Sequence, residues 1–318
     1  MAAMLSGMQE DGGTRVSLRV WLVACRPGFM TVTLVAAALG IAQAQACGCG
    51  WDAPAAAATL VLAALAHAAA NLYNDYGDAV GGSDAVNTGR LFPFSGGSQV
   101  IQDGRVSALQ MREAARMLGI VVVGGGIALA ARTGPGLLLV GLAGLALGWA
   151  YSSPRVALMS RGLGELAVGL AWWLVVVGAD HVQRHGFSAI AAISGVSLAG
   201  LVMAILWAAE FPDAAADAQV GKRTLVVRWG PRAAALGYAG LVLASHVWVA
   251  AWWAAQWLPS TAWWGLASAP LSAAAAITLW RHADEPARLR PVMAGSIAAA
   301  LLHGVMLTTA FVAIARLR

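Results

Sequence analysis

Residues 187–210 read FSAIAAISGVSLAGLVMAILWAAE and carry no charged side chain before Glu210. A helix needs about 20 consecutive, mostly apolar residues to cross the hydrocarbon core of a bilayer. This stretch is long enough, and its glycines, alanines and serines are residue types that let membrane helices approach one another closely. It therefore predicts a membrane-spanning helix, with acidic residues following where the helix leaves the apolar phase.

Similar apolar runs fill most of the chain on both sides of this stretch. Hydrophobic residues make up 59% of the 318 positions and charged residues 11%, whereas a soluble domain carries about 25% charged residues. The composition excludes an ordinary water-soluble fold and predicts an all-α, polytopic membrane helix bundle of about nine transmembrane helices. The predicted spans are residues 29–46, 54–73, 108–131, 136–151, 163–180, 187–210, 233–256, 262–280 and 291–314.

The predicted bundle forms one domain, residues 21–318, because no soluble linker interrupts the apolar pattern. A polar segment, residues 1–20, precedes it, and we expect this segment to be mobile. It lacks the apolar core of a cleavable signal. The three cysteines show no metal-ligand spacing, and Cys47 and Cys49 are too close in sequence for an easy disulfide, so we expect Cys25, Cys47 and Cys49 to be structural.

The distribution of basic residues predicts the orientation of the bundle. The N-terminal segment and the even-numbered loops, with the helix ends beside them, hold sixteen of the twenty Lys and Arg residues. Short loops rich in Lys and Arg stay on the cytoplasmic side of a membrane. We therefore expect a multi-pass protein of the cell inner membrane, with its N-terminus and even-numbered loops in the cytoplasm. Since the basic residues are scattered among these loops, they do not indicate a nucleic-acid partner.

Two of the predicted cytoplasmic loops, residues 74–107 and 211–232, are long for a compact fold. Loops of this length are usually functional or disordered, and these two are not of low complexity, which favours function. Ser107 followed by Gln110 is the signature of a capping box. It predicts that the third spanning helix begins directly after the first long loop.

Acidic and amide side chains cluster at the start of each long loop. Residues three or four positions apart share a helix face. Asn71, Asn74, Asp75 and Asp78 therefore point in a similar direction, and Asp84 follows after a break. The second cluster comprises Glu210, Asp213 and Asp217, and its two aspartates are also four residues apart.

Two carboxylate clusters facing one cavity would repel each other without a cation. Mg²⁺ suits such a site, because it takes carboxylate oxygens and leaves other positions to water and substrate phosphates. The basic residues Arg90, Lys222 and Arg223 lie in the same loops and could hold a diphosphate. Two alternatives stay open at this point. The charges could be solvated and idle, or they could bind the driving ion of a cation-coupled transporter, although transporters place such acids near the bilayer midplane.

The sequences of these two stretches resemble the paired signature motifs of the UbiA superfamily of intramembrane prenyltransferases. Residues 74–84 follow the pattern N-x-x-x-D-x-x-x-x-x-D. Residues 213–230, DAAADAQVGKRTLVVRWG, follow D-x-x-x-D, then G-K-x-T-L, an apolar pair, Arg and Gly. The turn at residues 151–154, YSSP, with RGLGE at 161–165, and Arg26-Pro27 ahead of the first span are also similar to the family.

Within the superfamily, the N-D-Y-G-D sequence of residues 74–78 is most similar to the 1,4-dihydroxy-2-naphthoate prenyltransferases of menaquinone synthesis. Two departures bear on the site. Ala209 stands where members often carry Asn, close to the second acidic motif. Residues 91–97, LFPFSGG, replace the Gly-Pro that this branch commonly has after the arginine, which puts the identity of the aromatic acceptor in question.

The resemblance implies a prenyltransferase that moves a polyprenyl group from its diphosphate to an aromatic acceptor, with membrane lipid around the tail. It implies that carboxylates and an amide bind Mg²⁺, that basic groups hold the diphosphate, and that tyrosine faces stabilise an allylic cation. The metal ligands would be Asn74, Asp78 and Asp84 for one ion and Asp213 and Asp217 for another, with Asp78, Asp213 and Asp217 central to catalysis. Arg90, Lys222 and Arg223 would bind the diphosphate, Asn71 and Asp75 would assist, and Tyr76 and Tyr151 would face the cation.

Overall fold

The computed structural model describes residues 16–317, and within them every regular element is helical. The α-helices are α1 (Leu18–Cys25), α2 (Pro27–Ala46), α3 (Ala53–Gly81), α4 (Ser83–Val86), α5 (Ala108–Thr133), α6 (Gly136–Ser152), α7 (Gly164–Arg184), α8 (Ala189–Gln219), α9 (Leu225–Trp229), α10 (Pro231–Ala254), α11 (Ala269–His282) and α12 (Arg290–Leu317). Short 3₁₀ helices cover Leu158–Ser160, Ser260–Ser268 and Pro286–Arg288.

The predicted number of membrane helices is confirmed. In the described part of the chain, eight helical stretches are long and apolar enough to cross a bilayer. A ninth apolar helix, α6, is slightly shorter. The eighth predicted span is composite, because the 3₁₀ helix Ser260–Ser268 runs directly into α11. The protein is therefore a polytopic, all-helical membrane protein.

Two spanning helices extend further than predicted. Helix α3 continues to Gly81 and α8 to Gln219, so both acidic clusters lie on helices and not in loops. The predicted ends, at residues 73 and 210, marked the change from apolar to polar side chains. Helical hydrogen bonding does not stop at that change, since a polar side chain on a helix end finds partners there, as in the bond from Asn74 Nδ2 to Asp78 Oδ2 (3.0 Å).

Close packing between α2, α7, α8 and α12 holds the centre of the bundle. A Cβ added at Gly40 on α2 would lie 2.2 Å from the carbonyl oxygen of Val176 on α7, and one at Gly304 on α12 would lie 2.3 Å from Val35. Leu39 and Leu198 are fully buried between these helices. The small residues therefore allow the helices to approach closely, as expected for membrane contacts.

The two ends of the first long loop are fixed by local hydrogen bonds. The capping box predicted at Ser107 is present, with Gln110 N bonding to Ser107 Oγ (3.1 Å) and Ser107 N to Gln110 Oε1 (2.8 Å). At the N-terminal side, α1 begins at Leu18, so the boundary predicted at residue 20 falls within a helix. Residues 1–15, most of the segment expected to be mobile, lie outside the described residues.

The expectation that Cys47 and Cys49 do not bond is wrong. The structure joins them in a disulfide, because the chain turns sharply at Gly48 (φ 75°) and brings the two Cα atoms within 5.4 Å. Glycine adopts this left-handed conformation without steric cost. Arg184 Nη1 lies 2.8 Å from the sulfur of Cys47, at the end of the bundle opposite the acidic clusters.

Candidate active site

The two acidic motifs meet in one cavity, where the C-terminal ends of α3 and α8 lie side by side. This cavity, here called the polar cavity, has a volume of about 100 Å³. Seven of the residues predicted for the site line it, namely Asn74, Asp78, Asp84, Tyr151, Asp213, Asp217 and Lys222. The fold therefore brings together residues that are up to 148 positions apart in the sequence.

Lys222 links the two acidic clusters. Its Nζ lies 3.1 Å from Asp78 Oδ1 on α3 and 3.5 Å from Asp217 Oδ1 on α8. Burial on its own would lower the pKa of the Lys222 ammonium, but the Asp78 and Asp217 carboxylates outweigh that effect and raise it. The lysine is therefore a fixed positive charge in the cavity, in a position to contact an anionic ligand.

The first long loop also contacts the second motif directly. Asn87 Nδ2 donates to Asp213 Oδ1 (2.7 Å), and the backbone N–H of Gly96 donates to Asp213 Oδ2 (3.0 Å). Sequence reasoning did not predict a role for Asn87. No sequence pattern indicated one, because Asn87 stands apart from both motifs and reaches Asp213 only through the fold of the loop.

Asp84 is 6% exposed and lies under Gly97 of the same loop. Burial, together with the nearby Asp78 and Asp75 carboxylates, raises the pKa of Asp84 to about 8. A Cβ added at Gly97 (φ +67°) would lie 2.7 Å from Asp84 Oδ2. The loop backbone thus approaches this carboxyl group as closely as only glycine permits.

Arg26 lies at the cavity, although the sequence analysis identified it only as a residue directly before the first span. It forms an ion pair with Asp75, which also accepts a hydrogen bond from the hydroxyl of Ser98. Arg26 lines the polar cavity, whereas Asp75 does not. The position of an arginine directly before Pro27 of an apolar run was the available signal, since a basic residue there must lie at the membrane boundary.

Besides Asp75, four predicted site residues do not line the polar cavity. Asn71 donates to the backbone oxygen of Cys25 (2.9 Å) and lines a neighbouring apolar cavity. Arg90 packs beside Gly96, and Arg223 is exposed, with its backbone N–H bonded to Ser160 O (2.9 Å). Tyr76 is the fourth.

Tyr76 stacks on Tyr73 with ring centroids 5.8 Å apart, and the guanidinium of Arg112 lies 5.9 Å from its ring. The expectation that Tyr76 faces the reacting carbon is not met by this geometry. The cause is the helical period of α3, because residues two positions apart do not share a face. Asn74 and Asp78 point into the cavity, and Tyr76 therefore points away from it.

An apolar cavity of about 210 Å³ adjoins the polar one. The two cavities share Arg26, Asn74, Phe94, Tyr151, Leu206 and Ala209 in their walls. Tyr151, one of the two tyrosines predicted to face a cation, therefore lies on the boundary between them. Deeper in the apolar cavity, the indole N–H of Trp172 has no hydrogen-bond partner among the described residues.

The apolar space continues between α3, α5, α6 and α7. A further cavity shares His67, Ala70, Gly148, Ala171 and Trp172 with the apolar cavity. Its wall includes Gly119 on α5 and Gly141, Gly144 and Gly148 on α6, and no atom of the protein would contact a Cβ added at any of these glycines. Together these spaces can take a polar head in one cavity and a long apolar chain in the next.

The donor set of the polar cavity fits a hard divalent cation. Carboxylate and amide oxygens are the ligands that Mg²⁺ prefers, and five carboxyl side chains line the cavity together with Lys222 and Arg26. Residues 16–317 contain no group of three or more His, Cys, Asp or Glu side chains already arranged to hold a metal ion. The chemistry of the residues thus fits Mg²⁺, and phosphate oxygens would have to complete its coordination.

Comparison with known proteins identifies the family of this fold. The sequence model of the UbiA prenyltransferase family matches residues 29–297. The 1,4-dihydroxy-2-naphthoate octaprenyltransferase of Escherichia coli (strain K12) is 28% identical over 295 residues, which cover 91% of this chain and 93% of that protein. The protein of the same name from Mycobacterium tuberculosis is 30% identical over 192 residues, covering 58% of this chain and 63% of that one.

Solved structures show the same architecture. A UbiA homolog from Archaeoglobus fulgidus bound to GPP and Mg²⁺ aligns with a TM-score of 0.60 at 15% identity, over 91% of this chain and 99% of that one. Digeranylgeranylglyceryl phosphate synthase aligns with a TM-score of 0.55 at 13% identity, over 94% of this chain and 98% of that one. At these identities the likeness concerns the fold.

Proposed function

This chain belongs to the UbiA prenyltransferase family, and we propose that it transfers a polyprenyl group from a prenyl diphosphate to 1,4-dihydroxy-2-naphthoate in menaquinone synthesis, with Mg²⁺ as cofactor. As a member of this family it is a membrane-embedded enzyme that transfers prenyl groups. The observation that carries the finer proposal is the meeting of both acidic motifs around Lys222 in a cavity that opens into an apolar one.

The polar cavity would hold the diphosphate. We assign one Mg²⁺ to Asn74, Asp78 and Asp84 and a second to Asp213 and Asp217. When bound, the ions would neutralise the charge that develops on the leaving diphosphate. Lys222 and Arg26 lie in the cavity and would contact the phosphate oxygens directly. Arg90 and Arg223, also predicted to bind the diphosphate, do not line this cavity.

The apolar cavity would hold the reacting carbon and the acceptor ring. The bond between the prenyl C1 and the diphosphate oxygen breaks, and its electron pair leaves with the diphosphate. The allylic cation that is left needs a dry site, since water would capture it. Tyr151, on the boundary of the two cavities, is placed to stabilise that cation through its ring face. The acceptor then attacks C1 through a ring carbon.

Two observations support a bicyclic, oxygenated acceptor of the naphthoate type. The Trp172 indole N–H lines the apolar cavity without a partner, so it can donate to an oxygen of the acceptor. The curated relatives from Escherichia coli and Mycobacterium tuberculosis are named for octaprenyl transfer to 1,4-dihydroxy-2-naphthoate. Phe94, from the segment that departs from this branch, lines both cavities and is placed to affect acceptor choice.

The proposal can be tested with purified protein and with cells. The protein should be offered 1,4-dihydroxy-2-naphthoate, 4-hydroxybenzoate and homogentisate, each with the same prenyl diphosphate and Mg²⁺. We expect prenylated product from the naphthoate fastest, and none in the presence of a chelator. If the naphthoate is the poorest of the three acceptors, the menaquinone assignment is wrong. Mass spectrometry of lipid quinones from cells with and without the gene provides an independent check.

A further inference from the structure

Two glutamates form a buried carboxyl pair beside the polar cavity. Glu165 lies in the first turn of α7 and is 2% exposed, and Glu210 lies on α8 and is 7% exposed. Helices α7 and α8 pack against each other, and the two carboxyl groups lie close enough to interact. Glu210 lines the polar cavity, next to Ala209, which is shared with the apolar one.

Three of the four carboxyl oxygens of this pair lack a hydrogen-bond donor among the described residues. In residues 16–317, no hydrogen-bond partner reaches either carboxylate oxygen of Glu165 or the Oε2 atom of Glu210. A buried carboxylate normally has such partners, because an unpaired charge in a low-dielectric interior is costly. Two carboxylates cannot donate to each other. A proton between them would join the pair and remove one of the two charges.

The surrounding charged groups are already engaged elsewhere. Lys222 is the cation that lies nearest, and it binds Asp78 and Asp217 and neither glutamate. The phenol of Tyr151 on α6 and the carboxylate of Asp217 on α8 are further titratable groups close to the pair. The pair is thus suited to carry one negative charge and to gain a second proton, which would leave it neutral.

We propose that this pair is the proton acceptor of the transfer reaction, with Glu210 contacting the acceptor and Glu165 positioning Glu210 and sharing its proton. The inference rests on the proposed function. As the ring carbon bonds to the prenyl C1, Glu210 takes the proton of the neighbouring ring hydroxyl, and the ring oxygen becomes a ketone. For an acceptor with a carboxylate on the attacked carbon, CO₂ then leaves, its electron pair restores the ring as a phenolate, and Glu210 returns the proton.

The kinetic test uses Glu210→Gln, Glu165→Gln and Glu210→Asp, with the exposed loop residue Glu285→Gln as the matched control. A positioned general base contributes about 100-fold or more to turnover. We therefore expect Glu210→Gln to lower kcat by about that factor while the affinity for a non-hydrolysable prenyl thiodiphosphate stays unchanged. Glu210→Asp should recover part of the loss, and Glu165→Gln should shift the pH profile of kcat. A Glu210→Gln variant with the kcat of the native enzyme would overturn the proposal.

Infrared spectroscopy tests the shared proton without requiring turnover. At neutral pH in deuterated buffer, the difference spectrum between the native protein and either Gln variant should show the stretching band of a protonated carboxyl group. The same difference should be seen in an Asp84→Asn background, which separates it from the band of the Asp84 carboxyl group. Absence of the band from both difference spectra would overturn the pair whatever the transfer assay gives. If the band is present but the native enzyme transfers the prenyl group to none of the acceptors, the proposed function is wrong. The shared proton of the two glutamates is then still supported. Melting temperatures of all variants exclude loss of folding as the cause.

Discussion

Lys222 shows at the scale of single residues how the site balances its charge. One ammonium contacts Asp78 and Asp217, while Asp84 and Asp213 are held by amide and backbone donors of the first long loop. The cavity therefore keeps an excess of negative charge that a divalent cation can neutralise. This charge balance makes the individual aspartates testable.

We expect Asp78→Asn and Asp217→Asn each to lower turnover by at least ~100-fold, because each removes a preorganised electrostatic group worth about 3 kcal/mol in the transition state. Steady-state rates at saturating Mg²⁺ measure the effect. Asp103→Asn is the matched control, since Asp103 lies in the first long loop with its side chain half exposed beside Arg105. Native activity in either cavity variant, or in the native enzyme with chelator, would contradict the metal assignment.

Replacing Gly97 should prevent the binding of Mg²⁺ and diphosphate, whereas replacing Gly104 in the same loop should not. Both residues have positive φ, so alanine at either position costs about 1–2 kcal/mol of backbone strain. Only at Gly97 would the new Cβ also lie against Asp84, 2.7 Å from Oδ2, whereas nothing lies within 4 Å at Gly104. Gly97→Ala should therefore abolish the rise in melting temperature on adding Mg²⁺ and diphosphate, and Gly104→Ala should retain it. If both variants lose this rise in melting temperature equally, backbone strain alone explains the effect.

Asp84 should make the stability of the metal-free protein depend on pH. Burial and the nearby Asp78 and Asp75 raise the pKa of Asp84 from 3.8 to about 8. Between those pH values the folded state holds a proton that the unfolded chain releases, so stability falls as pH rises through this window. Melting temperatures in chelator, from about pH 5 to about pH 9, should fall less steeply for Asp84→Asn than for the native protein. Identical slopes would show that the carboxyl group is ionised throughout.

At the scale of elements, the sequence predicted the spanning helices well and their polar ends poorly. The apolar runs identify spans because the bilayer imposes their length. Helices α3 and α8 nevertheless continue by eight or nine residues beyond the predicted limits, residues 73 and 210. The pattern of apolar residues indicates whether lipid or water surrounds a helix. It does not indicate where the helical hydrogen bonds stop, so it could not locate these ends.

The same distinction explains which site residues were predictable. The spacing of the two motifs predicted four site residues, because residues four apart on one helix necessarily share a face. These are Asn74, Asp78, Asp213 and Asp217. Asn87 reaches the site through a loop that has no periodic pattern, as described above for its bond to Asp213. The pairing of Glu165 with Glu210 joins two separate helices, and only the packing of α7 on α8 creates it.

The loop segment 91–97 contributes an aromatic ring to both cavities. Phe94 lines both cavities, whereas Phe92, two residues earlier, is 50% exposed. Since one methylene-sized change in a pocket is worth about 1–3 kcal/mol, Phe94→Ala should raise KM for the acceptor about 10-fold or more. KM for the prenyl diphosphate should change less. Phe92→Ala is the control and should match the native enzyme for both substrates, and an unchanged acceptor KM in Phe94→Ala would exclude the segment from acceptor binding.

At the scale of the whole molecule, the fold and the distribution of basic residues agree on which side of the membrane carries the polar cavity. The C-terminal ends of α3 and α8 meet at one end of the bundle, so both long loops lie on one side of the membrane. The disulfide between Cys47 and Cys49 lies at the opposite end. Because sixteen of the twenty Lys and Arg residues belong to the N-terminal segment and the even-numbered loops of the sequence, the positive-inside rule predicts that the polar cavity faces the cytoplasm.

Single cysteines can test this orientation in a variant that lacks Cys25, Cys47 and Cys49. Thr88 is exposed on the first long loop, Ala218 is exposed in the last turn of α8, and His185 is exposed at the opposite end of the bundle. In intact cells whose outer surface alone is accessible, an impermeant thiol reagent should label His185→Cys and leave Thr88→Cys and Ala218→Cys unmodified. Inverted inner-membrane vesicles should give the reverse result. Labelling of Thr88→Cys or Ala218→Cys from outside would show that the polar cavity does not face the cytoplasm.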